Sequence, residues 1–217
     1  MSSREDIAAM RRQYGEHGLV EGELPKNPIE LFNTWLTQAA ENEIVVEANA
    51  MVLSTEVDNQ PTSRTVLLKD LTQAGFTFFS NYESNKGKQI SENKNVSLLF
   101  PWYPMERQVI VIGSATKIAR EDSEKYFATR PRPSQIGAWA SDQSTELISR
   151  QELEAKFKEL ENKFAQEKVI PTPPYWGGYI VDPISIEFWQ GRYSRLHDRI
   201  RYVREKNNNW QIKRLNP

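Results

Sequence analysis

The sequence predicts an α+β fold built on a mostly antiparallel β-barrel, and three observations carry that prediction. Strand-like segments come in runs instead of alternating one-for-one with helices, which argues against a doubly wound parallel sheet. Two such runs, within 51–118 and 179–215, flank a helical stretch. Neither G-x-G-x-x-G nor G-x-x-x-x-G-K-[ST] occurs, so no dinucleotide fold or P-loop is indicated.

Taken in order, residues 1–25 are polar and read as a flexible N-terminal arm, with a short helix over Ile7–Tyr14. Residues 26–217 read as a single domain. Asn27-Pro28-Ile29-Glu30 starts a helix, with an N-cap, a proline at the first position and an acid closing a capping box. Ile29, Phe32, Trp35, Leu36 and Ala39 then share one face. Met51–Val57, the turn Asp58-Asn59-Gln60-Pro61 and Ser63–Lys69 form a hairpin; Phe76–Ser80 and Val96–Trp102 add strands. Between these two strands, Ser84–Ile90 starts a short helix carrying Lys86 and Lys88, and helix starts attract anions.

Arg107–Ile118 is a long strand with a bend or bulge at Gly113. Helices follow over Glu121–Arg130, from Pro131 toward Trp139, and over 150–168. The last buries Leu153, Phe157, Leu160 and Phe164, and pairs Glu152/Lys156, Glu154/Lys158 and Glu159/Lys163 outside. Strands return at Tyr179–Val181, Ile184–Gln190, Tyr193–Val203 and Trp210–Leu215.

A formal net charge of −1, from 28 basic and 29 acidic residues, gives no global field for nucleic acid. The absence of cysteine removes disulfides, thiolate nucleophiles and thiolate metal sites, and two distant histidines argue against a histidine-rich metal site. The N-terminus has no apolar signal-peptide core and no apolar run approaches membrane-spanning length, so the cytoplasm is the expected compartment.

Chemistry concentrates in Phe188–Arg199, FWQGRYSRLHDR. Beyond Gly191 the run Ser194–Val203, read as a strand, puts Arg195, His197, Arg199 and Arg201 on one face. Such a row of potential cations suits either a solvated face or an anionic ligand, because guanidinium forks match phosphate and carboxylate oxygens. Arg64 and Lys69 in SRTVLLK, Lys86 after Ser84, and Arg130 with Ser134 are further anion candidates. Strict alternation places Arg64 and Lys69 on opposite faces, while Tyr126 and Arg130, four apart, share a helix face. No G-x-S-x-G elbow exists and His197 lacks an evident serine partner, leaving it an acid/base or a hydrogen-bond donor to a ligand. Composition and spacing reach as far as an α+β barrel that binds a phosphorylated small molecule.

The motifs together say more. RTVLLK (64–69), SLLFPW and ERQV (97–109), YFATRPRPSQIGAW (126–139), SDQS (141–144), WGG (176–178), FWQG with RLHDR (188–199) and the closing RLNP resemble the pyridoxamine 5′-phosphate oxidase family. The resemblance runs in order from about Arg11 to the C-terminus. It implies a split β-barrel, a homodimer and FMN at the subunit interface. By the same resemblance, Arg64, Lys86 and Ser80 hold the FMN phosphate. Thr65, Val66, Leu67, Leu68 and Lys69, with Phe79, Gln108, Gln143, Ser144, Trp189 and Arg199, line the flavin. Lys69, Tyr126, Arg130 and Ser134 take the substrate phosphate. Arg195 and His197 sit over the pyridine ring as the catalytic pair, and Arg11 and Tyr14 cover the site from the arm. Asn85 stands where relatives usually carry arginine, and Phe79 where some carry tyrosine.

The implied activity is oxidation of pyridoxamine or pyridoxine 5′-phosphate to pyridoxal 5′-phosphate by oxygen, with hydrogen peroxide released and, from the amine, ammonia. Rival readings are a carrier on the same barrel, a flavin reductase, and a nucleic-acid-binding barrel. The intact RLHDR and RPxxSQIGAW motifs and the neutral charge weigh against them.

Overall fold

A computed structural model describes residues 7, 9, 13–15 and 18–217. Half of the positions in the helix expected over Ile7–Tyr14 lie outside the described residues, Arg11 among them. The order is α1 (Pro28–Ala40), β1 (Ala50–Val57), β2 (Gln60–Leu67), β3 (Asp70–Thr72), β4 (Gly75–Asn81), α2 (Asn85–Glu92) and β5 (Asn95–Trp102). Then come β6 (Arg107–Lys117), α3 (Arg120–Thr129), α4 (Arg132–Ala140), α5 (Arg150–Lys163), β7 (Trp176–Gln190), β8 (Asp198–Arg204) and β9 (Trp210–Leu215). The strands form one sheet in the order β2-β1-β5-β6-β7-β4-β3, with β8 on β7 and β9 on β8. The chain divides into two compact units, and β5, β6 and β7 run through both.

One unit comprises Ala50–Ser97 and Ile112–Pro183. Its β1–β2 hairpin pairs Val57 with Gln60 across Asp58-Asn59, both left-handed at φ 54° and 61°. Asp and Asn tolerate that region better than other non-glycine residues, so the turn is written locally. α2 opens at Ser84, whose Oγ accepts from the Gly87 N–H at 3.3 Å. Gly87 is required there, because a Cβ would sit 2.1 Å from the Tyr82 carbonyl oxygen. Phe127, Ile136, Phe164, Ile170 and Trp176 form a buried cluster, with Phe157 and Leu160 packed against it. Gly113 lies against the strand opposite: a Cβ would come within 2.3 Å of the Asp182 carbonyl oxygen, which accounts for the glycine expected to mark a bend.

The other unit comprises Met1–Asn49, Leu98–Val111 and Ile184–Pro217. Asn27 caps α1 by accepting from the Ile29 N–H at 3.0 Å, and Pro28 takes the first turn. The predicted apolar face buries Ile29, Phe32, Trp35 and Ala39. Phe32 meets Phe100 edge-on at 4.8 Å, and Trp35 meets Phe188 at 5.2 Å. β8 runs antiparallel between β7 and β9, with Glu187 opposite Arg201.

The structure corrects several expectations. Tyr193–Val203 is not one strand: Tyr193–Arg195 is a 3-10 turn in which Ser194 and Arg195 have φ of 57° and 60°, and β8 begins at Asp198. Arg195 and His197 therefore do not share a strand face with Arg199 and Arg201. β7 is continuous where two strands were expected; it pairs with β4 up to Val181 and with β8 from Ser185. Pro183, which lacks an N–H, sits between those two ladders, where neither needs one from it. β2 ends at Leu67, so strict alternation does not reach Lys69, whose N–H donates to Thr77 O at 2.8 Å next to the unforeseen strand β3. α5 ends at Lys163, and on its outer side Arg150 pairs with Glu154 at 2.7 Å while Lys156 reaches Asp142 at 2.7 Å.

Candidate active site

A cavity of about 700 Å³ opens in the unit formed by 50–97 and 112–183. The end of β2 supplies Thr65, Val66 and Leu67, with Lys69 beyond it; β4 supplies Phe79, Ser80 and Asn81. Lys86 comes from the first turn of α2, and Tyr126, Arg130 and Ser134 from α3 and the start of α4. Gln143 closes the rim. These were all singled out in the sequence except Asn81, and the pocket adds Thr129, Pro131, Gly137, Ala138, Ser141 and Trp176. Trp176 was visible as part of WGG, but nothing in its spacing marked it as a wall. Leu68 is buried, Ser144 is exposed with φ 74°, and neither these two nor Arg64 belongs to the lining.

The pocket is positively charged, and among the described residues no carboxylate lines it. Among the described residues, none of Arg64, Lys69, Lys86 and Arg130 pairs with a carboxylate. Lys86 Nζ donates to Gln143 Oε1 at 2.9 Å and to Ser84 Oγ at 3.3 Å, and Ser80 Oγ donates to the same Gln143 oxygen at 3.2 Å. Burial first, and the nearby Arg64 charge second, hold the Lys86 ammonium below its ordinary pKa. Arg130 lies over the Trp176 ring at 4.8 Å, its Nη1 is buried with no hydrogen-bond partner, and burial lowers its pKa. A partly buried guanidinium with an unused N–H is costly unless an anion meets it. Burial raises the Tyr126 hydroxyl pKa, with the Arg130 charge acting in the opposite direction. Lys86 and Arg130, on different elements of the wall, thus each fit a phosphate group.

The second cluster belongs to the other unit. Trp189, near the end of β7, packs against His197 at 4.7 Å, and Tyr14 sits edge-on to both at 5.8 and 5.4 Å. The arm is pinned there: the Gly15 N–H donates to Glu106 Oε2 at 2.8 Å and the Leu19 N–H to Asp198 Oδ2 at 2.9 Å. His197 Nδ1 accepts from the Arg192 N–H at 3.0 Å, which leaves the proton of the neutral ring on Nε2. Burial, then the Arg195 charge, push its pKa down, so the ring is neutral at pH 7. Arg195 is exposed on the turn. Gln108 lies on β6 of the same unit.

Arg199 and Arg201 prove to have an internal anion. Both reach the buried Glu187 carboxylate at 2.7 Å, and Arg199 also donates to Asn216 O at 3.1 Å. Glu187 was missed in the sequence; its only signal is an acid between the apolar Ile186 and Phe188.

Sheet and pocket define a class: a mostly antiparallel-sheet protein with a cationic pocket, free of carboxylates among the described residues and suited to phosphorylated ligands. Residues 37–164 match the pyridoxamine 5′-phosphate oxidase family, and residues 176–217 match the pyridoxine 5′-phosphate oxidase C-terminal dimerisation region. The chain belongs to the pyridoxamine 5′-phosphate oxidase family. It is 53% identical to a pyridoxine/pyridoxamine 5′-phosphate oxidase of Rippkaea orientalis over 98% of this chain and 100% of the relative. A protein of the same name from Streptomyces avermitilis is 48% identical over 98% of this chain and 96% of the relative. Among solved structures, PhzG from Burkholderia lata in complex with tetrahydrophenazine-1-carboxylic acid is 30% identical and superposes with a TM-score of 0.85. That likeness covers 94% of this chain and 100% of PhzG, and it gives the split-barrel fold.

Proposed function

We propose that this chain is an FMN-dependent oxidase that converts pyridoxamine or pyridoxine 5′-phosphate to pyridoxal 5′-phosphate with oxygen. The observation that carries this reading is the pocket whose cations on two different elements, Lys86 on α2 and Arg130 after α3, have no carboxylate partner among the described residues. A phosphorylated cofactor and a phosphorylated substrate require two such anion sites. FMN, when bound, supplies hydride acceptance from the substrate carbon and reoxidation by oxygen.

The chain's own residues bind and orient. Lys86, Ser80 and the charge of Arg64 would hold the cofactor phosphate. The 65–69 segment, Phe79, Gln143 and Ser144 would line the ring system, joined, in the homodimer that the resemblance implies, by Gln108, Trp189 and Arg199. Lys69, Tyr126, Arg130 and Ser134 would take the substrate phosphate, since Tyr126 on α3 and Arg130, in extended backbone at its C-cap, both line the cavity. Arg195 and His197 would meet the pyridine ring, with the neutral His197 offering an Nε2–H and Arg195 a fixed charge. Tyr14, edge-on to the His197 ring at 5.4 Å, would cover His197 from the arm. Positioning of the reacting carbon needs no nucleophile or metal.

Residues 26–217 serve as one FMN-binding domain, a reading supported by three strands that run through both units. The match to a dimerisation region supports a homodimer. Cytoplasm is the proposed compartment; among the described residues no helix is long and apolar enough to cross a membrane.

The test is anaerobic. Purified protein loaded with FMN is mixed with each B6 phosphate while the flavin's visible absorbance is followed. Bleaching that reverses on admitting air is expected. A flavin that binds without bleaching would overturn the oxidase assignment.

A further inference from the structure

Arg64 is held by an unusual set of partners. Its Nη1 donates to Thr55 Oγ1 at 2.6 Å and to Leu53 O at 3.3 Å; its Nη2 donates to Thr62 Oγ1 at 2.7 Å and to Gln89 Oε1 at 3.0 Å. Gln89 Oε1 also accepts from Thr55 Oγ1 at 2.7 Å and Thr62 Oγ1 at 3.0 Å. Thr55 is buried on β1, and Thr62 and Gln89 are half-buried on β2 and α2. Every acceptor in this set is uncharged. The guanidinium is thus fixed through its terminal nitrogens without being neutralised, and its charge is felt at Lys86 in the pocket wall.

We infer that Gln89, with Thr55 and Thr62, is a positioning group that keeps Arg64 fixed but unneutralised, so that its charge selects FMN over unphosphorylated riboflavin. The inference rests on the proposed placement of the FMN phosphate near Lys86. It explains why an amide occupies position 89. A carboxylate there would make stronger bonds to Arg64, yet it would cancel the field that an anionic ligand experiences. It also gives the Asn85 position a context: with no arginine at that position, the single guanidinium of Arg64 carries more of the attraction.

The experiment measures FMN and riboflavin affinities of the full chain by quenching of flavin fluorescence, for wild type, Gln89→Glu and Gln89→Ala. Gln89→Glu keeps shape and acceptors but answers the Arg64 charge; Gln89→Ala loosens the cradle and leaves the charge. FMN affinity is expected to fall by about tenfold or more in Gln89→Glu, by less in Gln89→Ala, with riboflavin affinity unchanged in both. A merely structural role predicts the opposite order, because glutamate preserves packing better than alanine. That opposite order, unchanged FMN affinity in Gln89→Glu, or equal losses of FMN and riboflavin would each overturn the inference. Lys86→Ala is measured alongside to separate the two levels of the argument. If it leaves the FMN-to-riboflavin preference intact, the phosphate placement itself falls, and the inference with it.

Discussion

Arg130 combines a buried, unpartnered Nη1 with a place on the pocket wall. Its contact with Trp176 returns about 1–2 kcal/mol, while the desolvation of an unanswered charge works against it. Arg130→Leu should therefore raise the KM for the phosphorylated substrate more than tenfold without lowering the melting temperature of the ligand-free protein. Steady-state kinetics and a thermal melt check the two halves; a large drop in melting temperature would make Arg130 a structural residue. Single residues are also where sequence reasoning reached its limit. Arg64 and Lys69 were legible as anion candidates because they flank the apolar run Val66–Leu68, Lys86 because it opens a helix, and Arg130 because Ser134 and a helix start follow it. The row at 195–201 misled, since cations on a strand show their charge in the sequence but conceal their partner. Arg199 and Arg201 answer Glu187, which cannot be singled out from 29 acids until β7 and β8 are paired.

At the scale of elements, caps and turns were readable because their chemistry is local. Asn27-Pro28 starts α1, Asp58-Asn59 turns the first hairpin, and Ser84 opens α2. The turn at 193–197 was not readable, because left-handed Ser194 and Arg195 carry none of the glycine or asparagine that usually announces it. α2 supports a direct test through Gly87. Gly87→Ala would gain about 1 kcal/mol in helix propensity, but its Cβ would have to displace the Tyr82 carbonyl, 2.1 Å away. Overpacking of this kind costs about 1–3 kcal/mol, so a net loss of stability in urea unfolding is expected, with weaker FMN binding as Lys86 shifts. An unchanged urea midpoint would show that the Tyr82 segment yields freely.

For the whole molecule, the sequence supplied the strand content and the helical stretch between strand runs, but it could not supply which strand lies beside which. Sheet order depends on partners far apart in the chain, such as β4 with β7, and local patterns do not encode them. The same holds for assembly. The C-terminal match to a dimerisation region leads to a specific expectation: sedimentation at micromolar concentration should give twice the 25.2 kDa chain mass. A monomer mass with full activity would detach the function from the homodimer.

One packing detail has a spectroscopic corollary. Phe79 stacks on Tyr126 at 3.8 Å and on Trp176 at 5.3 Å, with interplanar angles of 13° and 12°. Aromatic chromophores held nearly parallel at such spacing, in an asymmetric wall, couple their electronic transitions and give a near-ultraviolet circular dichroism band. Because all three rings line the cavity, a ligand entering it perturbs that band. The protein thus carries an optical gauge of pocket occupancy that works with colourless ligands and needs no turnover.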